Sequence, residues 1–166
     1  MEFFQAKREC ELEETFVRLL QERNMTVSTA ESCTGGLLAG AIVNAAGASE
    51  VLNEGYITYS NEAKERLVGV RKETLRQFGA VSEETAREMA IGTAQAAGSN
   101  MGLSSTGIAG PGGGTEEKPV GLIYIGCSIG NTVEVRKLRF YGNRMENRLQ
   151  TVEAVLRLAI DMLQRQ

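Results

Sequence analysis

The sequence contains no histidine and no tryptophan among its 166 residues, and it has only three cysteines. Without an imidazole, a serine nucleophile cannot pass its proton to histidine, so the serine-histidine-acid arrangement is excluded and a lysine or carboxylate must act as the base. Because histidine is absent and no Cys-x-x-Cys pair occurs, the sequence predicts no zinc or other transition-metal site. A magnesium ion held by carboxylates is not excluded by composition.

The few cysteines and the N-terminal sequence indicate the cellular compartment. Cys10, Cys33 and Cys127 are odd in number and widely spaced, which is typical of reduced thiols rather than of a secreted disulfide framework. Charges appear too early at the N-terminus for a signal peptide, and no apolar run approaches the roughly 20 residues of a membrane helix. We therefore expect a cytoplasmic protein that makes no contact with a membrane.

Charge and composition restrict the partners. A formal net charge of -3 provides no basic field for a nucleic-acid backbone, so we expect no nucleic-acid partner. With 42% hydrophobic and 23% charged residues, the chain has a globular composition, and we assign residues 1–166 to a single domain.

Hydrophobic spacing and capping residues predict an α/β fold, with a mixed β-sheet covered by helices. Helices are predicted up to about Arg23, over Gly35–Ala46, after Ser60 or Asn61, over Glu83–Ala97 and over Met145–Leu163. Strands are predicted over Val27–Ala30, Gly55–Tyr59, Met101–Thr106, Val120–Cys127 and Thr132–Phe140. The apolar Gly35–Ala46 segment and the terminal helix could supply a subunit interface, which would make the protein a homo-oligomer.

The segment Ala30-Glu31-Ser32-Cys33-Thr34-Gly35-Gly36 lies at a predicted strand-to-helix turn. Ser32 has two interpretations there: it caps the following helix, or it is a nucleophile whose oxyanion is held by backbone N–H groups near Thr34 to Gly36. Cys33 competes as a nucleophile, but a thiol without a histidine partner is more often a packing residue.

Lys64 is the best available base in a chain without histidine. An exposed lysine would be an ordinary surface residue, whereas a desolvated one beside Ser32 would have a lowered pKa. Its neutral amine would then accept the serine proton directly or through the hydroxyl of Tyr59. The alternative for Tyr59 is an aromatic side chain in the core.

A glycine-rich loop, 107–114, follows one predicted strand. It lacks the Lys-Ser/Thr pair of a P-loop and the Gly-x-Gly-x-x-Gly pattern, so neither nucleotide fingerprint applies. Its glycines would still allow the backbone to approach a ligand closely. Arg144 is a candidate to bind a phosphate group with its planar guanidinium.

Five ordered segments together resemble the C-terminal domain family of the competence/damage-inducible protein CinA. They are the Ser32 segment, Gly55-Tyr56-Ile57-Thr58-Tyr59-Ser60-Asn61-Glu62-Ala63-Lys64, Gly79-Ala80-Val81-Ser82, Thr106-Gly107-Ile108-Ala109-Gly110-Pro111 and Glu117-Lys118-Pro119-Val120-Gly121. The resemblance implies a nicotinamide-nucleotide amidohydrolase of pyridine nucleotide salvage, which converts nicotinamide mononucleotide to nicotinate mononucleotide and ammonia without a cofactor. It also implies the stand-alone form, since the long N-terminal domain of full-length CinA is missing.

The resemblance also implies roles for individual residues. Ser32 matches the family's nucleophile, and Tyr59 and Lys64 match the residues that activate it. The residues expected around the small-molecule nucleotide are Thr34, Gly35, Gly36, Thr106, Gly107 and Arg144. Two positions depart from the family pattern, with Leu122 in place of threonine and Asn143 where aspartate is frequent.

Two other functions remain open from the sequence. One is a non-catalytic nucleotide-binding or regulatory module of the same fold, because function belongs to the site and not to the fold. The other is a DNA-processing factor, which the acidic charge disfavours.

Overall fold

A five-stranded mixed sheet lies at the centre of the computed structural model, which describes residues 11–166. The strands are β1 (Val27–Glu31), β2 (Leu52–Ile57), β3 (Met101–Gly107), β4 (Leu122–Ile129) and β5 (Thr132–Arg139). Their order is β2-β1-β3-β4-β5, with β2, β1 and β3 mutually parallel and the β4-β5 hairpin antiparallel. The prediction for Cys10 lies outside the described residues.

Helices cover the two faces of this sheet. They are α1 (Glu11–Glu22), α2 (Leu37–Val43), α3 (Ala48–Val51), α4 (Asn61–Val68), α5 (Lys72–Phe78), α6 (Glu83–Ala97) and α7 (Arg144–Gln164). The larger hydrophobic cluster joins α1, α2, α3 and α7 to the sheet, and a smaller one joins α4, α5 and α6 to the other face. The predicted α/β domain with a mixed, helix-covered sheet is confirmed.

Side-chain caps explain where three helices begin. Ser60, Ser82 and Asn143 each accept a hydrogen bond from a backbone N–H in the first turn of α4, α6 and α7. Asn143 also forms a capping box with Glu146, so the departure from aspartate at this position preserves the cap.

Several boundaries differ from those predicted. Strand β2 begins at Leu52 and ends at Ile57, which leaves Tyr59 in the connection to α4. Helix α2 ends at Val43 rather than near Ala46. The short helices α3 and α5 were not predicted, and neither has a side-chain cap that would have marked its start.

The parallel strands position the site. The carboxyl ends of β1, β2 and β3 lie at one edge of the sheet, which is where ligands bind in open α/β sheets. Across residues 11–166, no helix is both long and apolar enough to cross a membrane.

Candidate active site

Ser32 follows the last residue of β1, and its backbone N–H donates to the carbonyl of Ser105 on β3 at 2.9 Å. Helix α2 starts only after Gly36. Gly36 is its N-cap residue and makes no side-chain hydrogen bond to the helix. Its N-terminus is held instead by the buried carboxylate of Glu31, which accepts from three backbone N–H groups, those of Gly36, Leu38 and Ala39. The helix-cap interpretation of Ser32 is therefore wrong.

The side chain of Lys64 reaches Ser32 from the first turn of α4. Its Nζ lies 3.1 Å from Ser32 Oγ and donates a hydrogen bond of 2.7 Å to the carbonyl of Thr58. The Lys64 side chain is 1% exposed, and its desolvation lowers the pKa to about 8, although nearby Cys33 acts in the opposite direction. About a tenth of this amine is therefore neutral at pH 7 and can accept a proton.

A cavity of about 200 Å³ surrounds this pair. The predicted residues Tyr59, Thr106, Gly107 and Arg144 all lie on its wall. The full lining is Ser32, Cys33, Tyr59, Lys64, Ala80, Val81, Thr106, Gly107, Ala109 and Arg144. The wall thus combines the ends of β1 and β3 with α4, the loop before α6 and the start of α7.

Tyr59 and Arg144 contact each other at the cavity. The Arg144 guanidinium donates to the Tyr59 hydroxyl at 3.2 Å and to the carbonyl of Gly110 at 2.7 Å. Tyr59 is 63% exposed, so its interpretation as a core aromatic is wrong. Within residues 11–166, the Tyr59 hydroxyl makes no hydrogen bond to Ser32 or Lys64, so the direct proton route is the one that these contacts support.

Thr34, Gly35 and Gly36 do not line this cavity. The buried Thr34 hydroxyl pairs with the hydroxyl of Ser105 at 2.6 Å, and Gly36 lines a separate groove between α1, α2 and α7. The Gly36 N–H is already donated to Glu31, so it is not free to bind an oxyanion.

Cys33 lies on the cavity wall but is a weak nucleophile. Burial raises the pKa of its thiol to about 11, so almost none is thiolate at neutral pH. Cys127 is also buried, and burial raises its pKa further. The described part of the chain contains no group of three or more metal-ligating side chains.

Two residues near the site were missed by the sequence analysis, and both are on α7. The fully buried Asn147 amide donates to the carbonyl of Ala109 and accepts from the N–H of Gly142, both at 2.9 Å. Arg148 donates to the carbonyls of Cys33 and Thr34. Their spacing from Arg144, three and four residues, places all three on one helix face, which is the signal that could have found them.

Comparisons with known proteins show the family to which this chain is similar. The family model of the CinA C-terminal domain matches residues 9–163. A CinA-like protein of Kosmotoga olearia is 56% identical over 154 residues, which is 93% of this chain and 36% of that protein. The chain spans only about a third of the length of the curated relatives, 36% in the first of them.

Solved structures match over nearly their whole length. The competence/damage inducible protein CihA from Agrobacterium tumefaciens is 44% identical with a TM-score of 0.89, covering 97% of this chain and 98% of its own. A CinA superfamily protein from Klebsiella pneumoniae is 32% identical with a TM-score of 0.91, covering 96% of this chain and all of its own.

Proposed function

We propose that this chain, which belongs to the CinA C-terminal domain family, hydrolyses the carboxamide of nicotinamide mononucleotide to nicotinate mononucleotide and ammonia. The observation that carries the proposal is the contact between a buried lysine amine and a serine hydroxyl in a small cavity, 3.1 Å apart. A serine activated by a lysine is an arrangement known from acyl transfer, and it needs no histidine.

The first half of the reaction forms an ester on Ser32. Its Oγ attacks the carboxamide carbon while the neutral amine of Lys64 takes the hydroxyl proton. The hydrogen bond to Thr58 directs one N–H of the amine away from Ser32, which leaves the nitrogen lone pair for this proton. The tetrahedral intermediate then collapses: the Lys64 ammonium protonates the carboxamide nitrogen, the carbon-nitrogen bond breaks, and ammonia leaves.

The second half regenerates the serine. A water molecule attacks the ester carbonyl while Lys64 again accepts a proton, and the carbon-oxygen bond to Ser32 breaks as the proton returns to Oγ. The balance is one water consumed for one carboxylic acid and one ammonia formed, and in water these two exchange a proton to give carboxylate and ammonium. No step uses a metal or a redox cofactor.

The cavity and its mouth fit the two ends of this substrate. A volume of about 200 Å³ suits the pyridine carboxamide rather than a whole nucleotide, so the ribose phosphate extends towards the mouth. The exposed side chain of Arg144 lies on the cavity wall. Its guanidinium donates hydrogen bonds to two neutral oxygens, the carbonyl of Gly110 and the hydroxyl of Tyr59. A guanidinium has five N–H donors, so Arg144 retains donors for a phosphate.

The test is ammonia release from nicotinamide mononucleotide, measured in the presence of a chelator, together with binding of the nucleotide by calorimetry. We expect turnover by the unaltered protein and a loss of at least about 1,000-fold in Ser32→Ala with binding retained. The matched control is Ser60→Ala, which changes an exposed helix cap near the site and should keep its kcat. Binding without turnover by the unaltered protein would instead identify a non-catalytic nucleotide-binding module.

A further inference from the structure

Gly107, the last residue of β3, lines the same cavity as Ser32 and Lys64. The register of the sheet pairs Glu31 on β1 with Ser105 on β3, so the two strands end side by side at this cavity. We infer that the backbone N–H of Gly107 donates a hydrogen bond to the oxyanion that forms when Ser32 attacks the carboxamide. This inference rests on the proposed function.

The hydrogen-bond ladder between β1 and β3 shows which way this N–H points. The ladder begins with the Met101 N–H, which donates to the Thr26 carbonyl at 3.0 Å, and it ends with the Ser32 N–H, which donates to the Ser105 carbonyl at 2.9 Å. Backbone groups alternate sides along a strand, so every second residue of β3 bonds to β1. Gly107 is the next residue in this series after Ser105, and its N–H faces the chain at Ser32.

The acceptor that a longer ladder would supply is missing at this point. One more step would join the Gly107 N–H to the Ser32 carbonyl, but β1 ends at Glu31 and that bond does not form. The N–H of the next residue, Ile108, donates to the Leu122 carbonyl beside it at 2.9 Å, so the Gly107 N–H faces away from β4. Across residues 11–166 it has no hydrogen-bond acceptor, and it remains available to an oxygen atom in the cavity.

Hydrogen bonds on both sides of Gly107 hold its backbone in place. The Thr106 hydroxyl donates to the Ala80 carbonyl at 2.7 Å, and the Ile108 carbonyl accepts from the Gly121 N–H, also at 2.7 Å. The N–H between these two contacts therefore needs no rearrangement when negative charge develops. An oxyanion donor is most effective when it is preorganised in this way.

The donors that the sequence suggested, near Thr34 to Gly36, are less suited to this task. The Gly36 N–H already donates to the carboxylate of Glu31. Neither Thr34 nor Gly35 lines the cavity that contains the serine-lysine pair, whereas Gly107 does. The oxyanion is therefore bound from β3 and not from the turn that leads into α2.

The experiment uses a nicotinamide mononucleotide analogue in which an aldehyde replaces the carboxamide. Ser32 Oγ forms a bond to the aldehyde carbon, the serine proton passes to Lys64, and the carbonyl oxygen becomes the negatively charged oxygen of a hemiacetal. Nuclear magnetic resonance then follows amide groups in protein with isotope labels on the threonine carbonyl carbon and the glycine nitrogen. These labels select Thr-Gly steps, which occur at Thr34-Gly35 and Thr106-Gly107 and nowhere else in the sequence.

We expect the Gly107 amide proton to move downfield when the adduct forms, because a hydrogen bond to a charged oxygen is short and strong. The Gly35 signal should stay in place and serves as the internal control. The matched variant is Ser32→Ala, which binds the aldehyde without forming the hemiacetal, so its Gly107 signal should shift much less. A Gly107 signal that shifts no further than in Ser32→Ala, or a Gly35 signal that shifts instead, would overturn the inference.

Ammonia release from nicotinamide mononucleotide distinguishes this inference from the proposed function. If the unaltered protein releases no ammonia, the proposed function fails and the inference fails with it. If the unaltered protein releases ammonia and the aldehyde causes no shift of the Gly107 signal beyond that in Ser32→Ala, only the inference fails.

Discussion

Burial of Lys64 determines how Ser32 can be activated. An exposed lysine is almost fully protonated at neutral pH, whereas desolvation of Lys64 lowers its pKa from 10.5 to about 8. In the proposed mechanism the same lysine acts first as base and then as acid, which is what an amide hydrolysis with an ammonia leaving group requires. In the proposed mechanism this amine, 3.1 Å from Ser32 Oγ, takes the part that histidine has in the better-known serine hydrolases.

The pH dependence of activity follows from this pKa. Because the neutral amine is the active form in the free enzyme, kcat/KM should rise about tenfold for each pH unit below about 8 and level off above that value. The measurement is kcat/KM for nicotinamide mononucleotide from pH 6 to 9.5, with circular dichroism confirming that the protein stays folded. A profile that is flat, or that falls as the pH rises, would contradict Lys64 as the base.

At the residue scale, the sequence pointed to one contact that the structure contains, because the residue types involved are few. The missing histidine made Lys64 the leading base, and the structure brings its amine to Ser32. Arg148 and Asn147 were not identified because their partners are backbone groups of distant segments. A sequence carries no pattern for such contacts, since any residue supplies a carbonyl oxygen.

At the scale of elements, the connection between β1 and α2 contains Ser32, the proposed nucleophile. Glu31 ends β1, yet its carboxylate reaches the N-terminus of the next helix and accepts three backbone N–H groups there. These three hydrogen bonds satisfy the oxygens of the buried carboxylate, which offsets the cost of its burial. Glu31 thus binds backbone N–H groups at the start of α2, and Arg148 binds the carbonyl oxygens of Cys33 and Thr34 in the turn before it.

Removal of this carboxylate should destabilise the fold. Glu31→Ala leaves three backbone N–H groups without their acceptor, which should lower the free energy of unfolding by about 3 kcal/mol. Urea denaturation measures this, with Glu62→Ala as the control, since Glu62 is exposed in the first turn of α4 and should cost less than about 1 kcal/mol. Equal losses for the two variants would contradict the role of Glu31.

Most elements were predictable because local patterns specify them. Ser60 and Ser82 marked the starts of α4 and α6, and the apolar spacing marked α7. The Glu31 cap was not predictable, because a strand residue that reaches the next helix is a tertiary contact and lacks the spacing of a local cap. Because the sequence does not show this contact, Ser32 was an equally good candidate to cap α2.

At the scale of the whole molecule, topology brings the site together. Three parallel strands place the segments after Glu31, Ile57 and Gly107 at one edge of the sheet. Helix α7, at the other end of the described chain, then contacts all three of these segments through Arg144, Asn147 and Arg148. The alternation of strands and helices predicted the class of this fold, but the strand order and the contacts of α7 depend on long-range packing.

The most direct test of the account is ammonia release from nicotinamide mononucleotide at pH 8 by the unaltered protein and by Lys64→Met. The methionine keeps most of the buried aliphatic stem and removes the one amine that contacts Ser32 within residues 11–166. We predict equal amounts of ammonia and nicotinate mononucleotide from the unaltered protein, and a kcat lower by at least about 1,000-fold in Lys64→Met with nucleotide binding retained. A folded Lys64→Met variant whose kcat stays within about tenfold of the unaltered protein would contradict the serine-lysine mechanism.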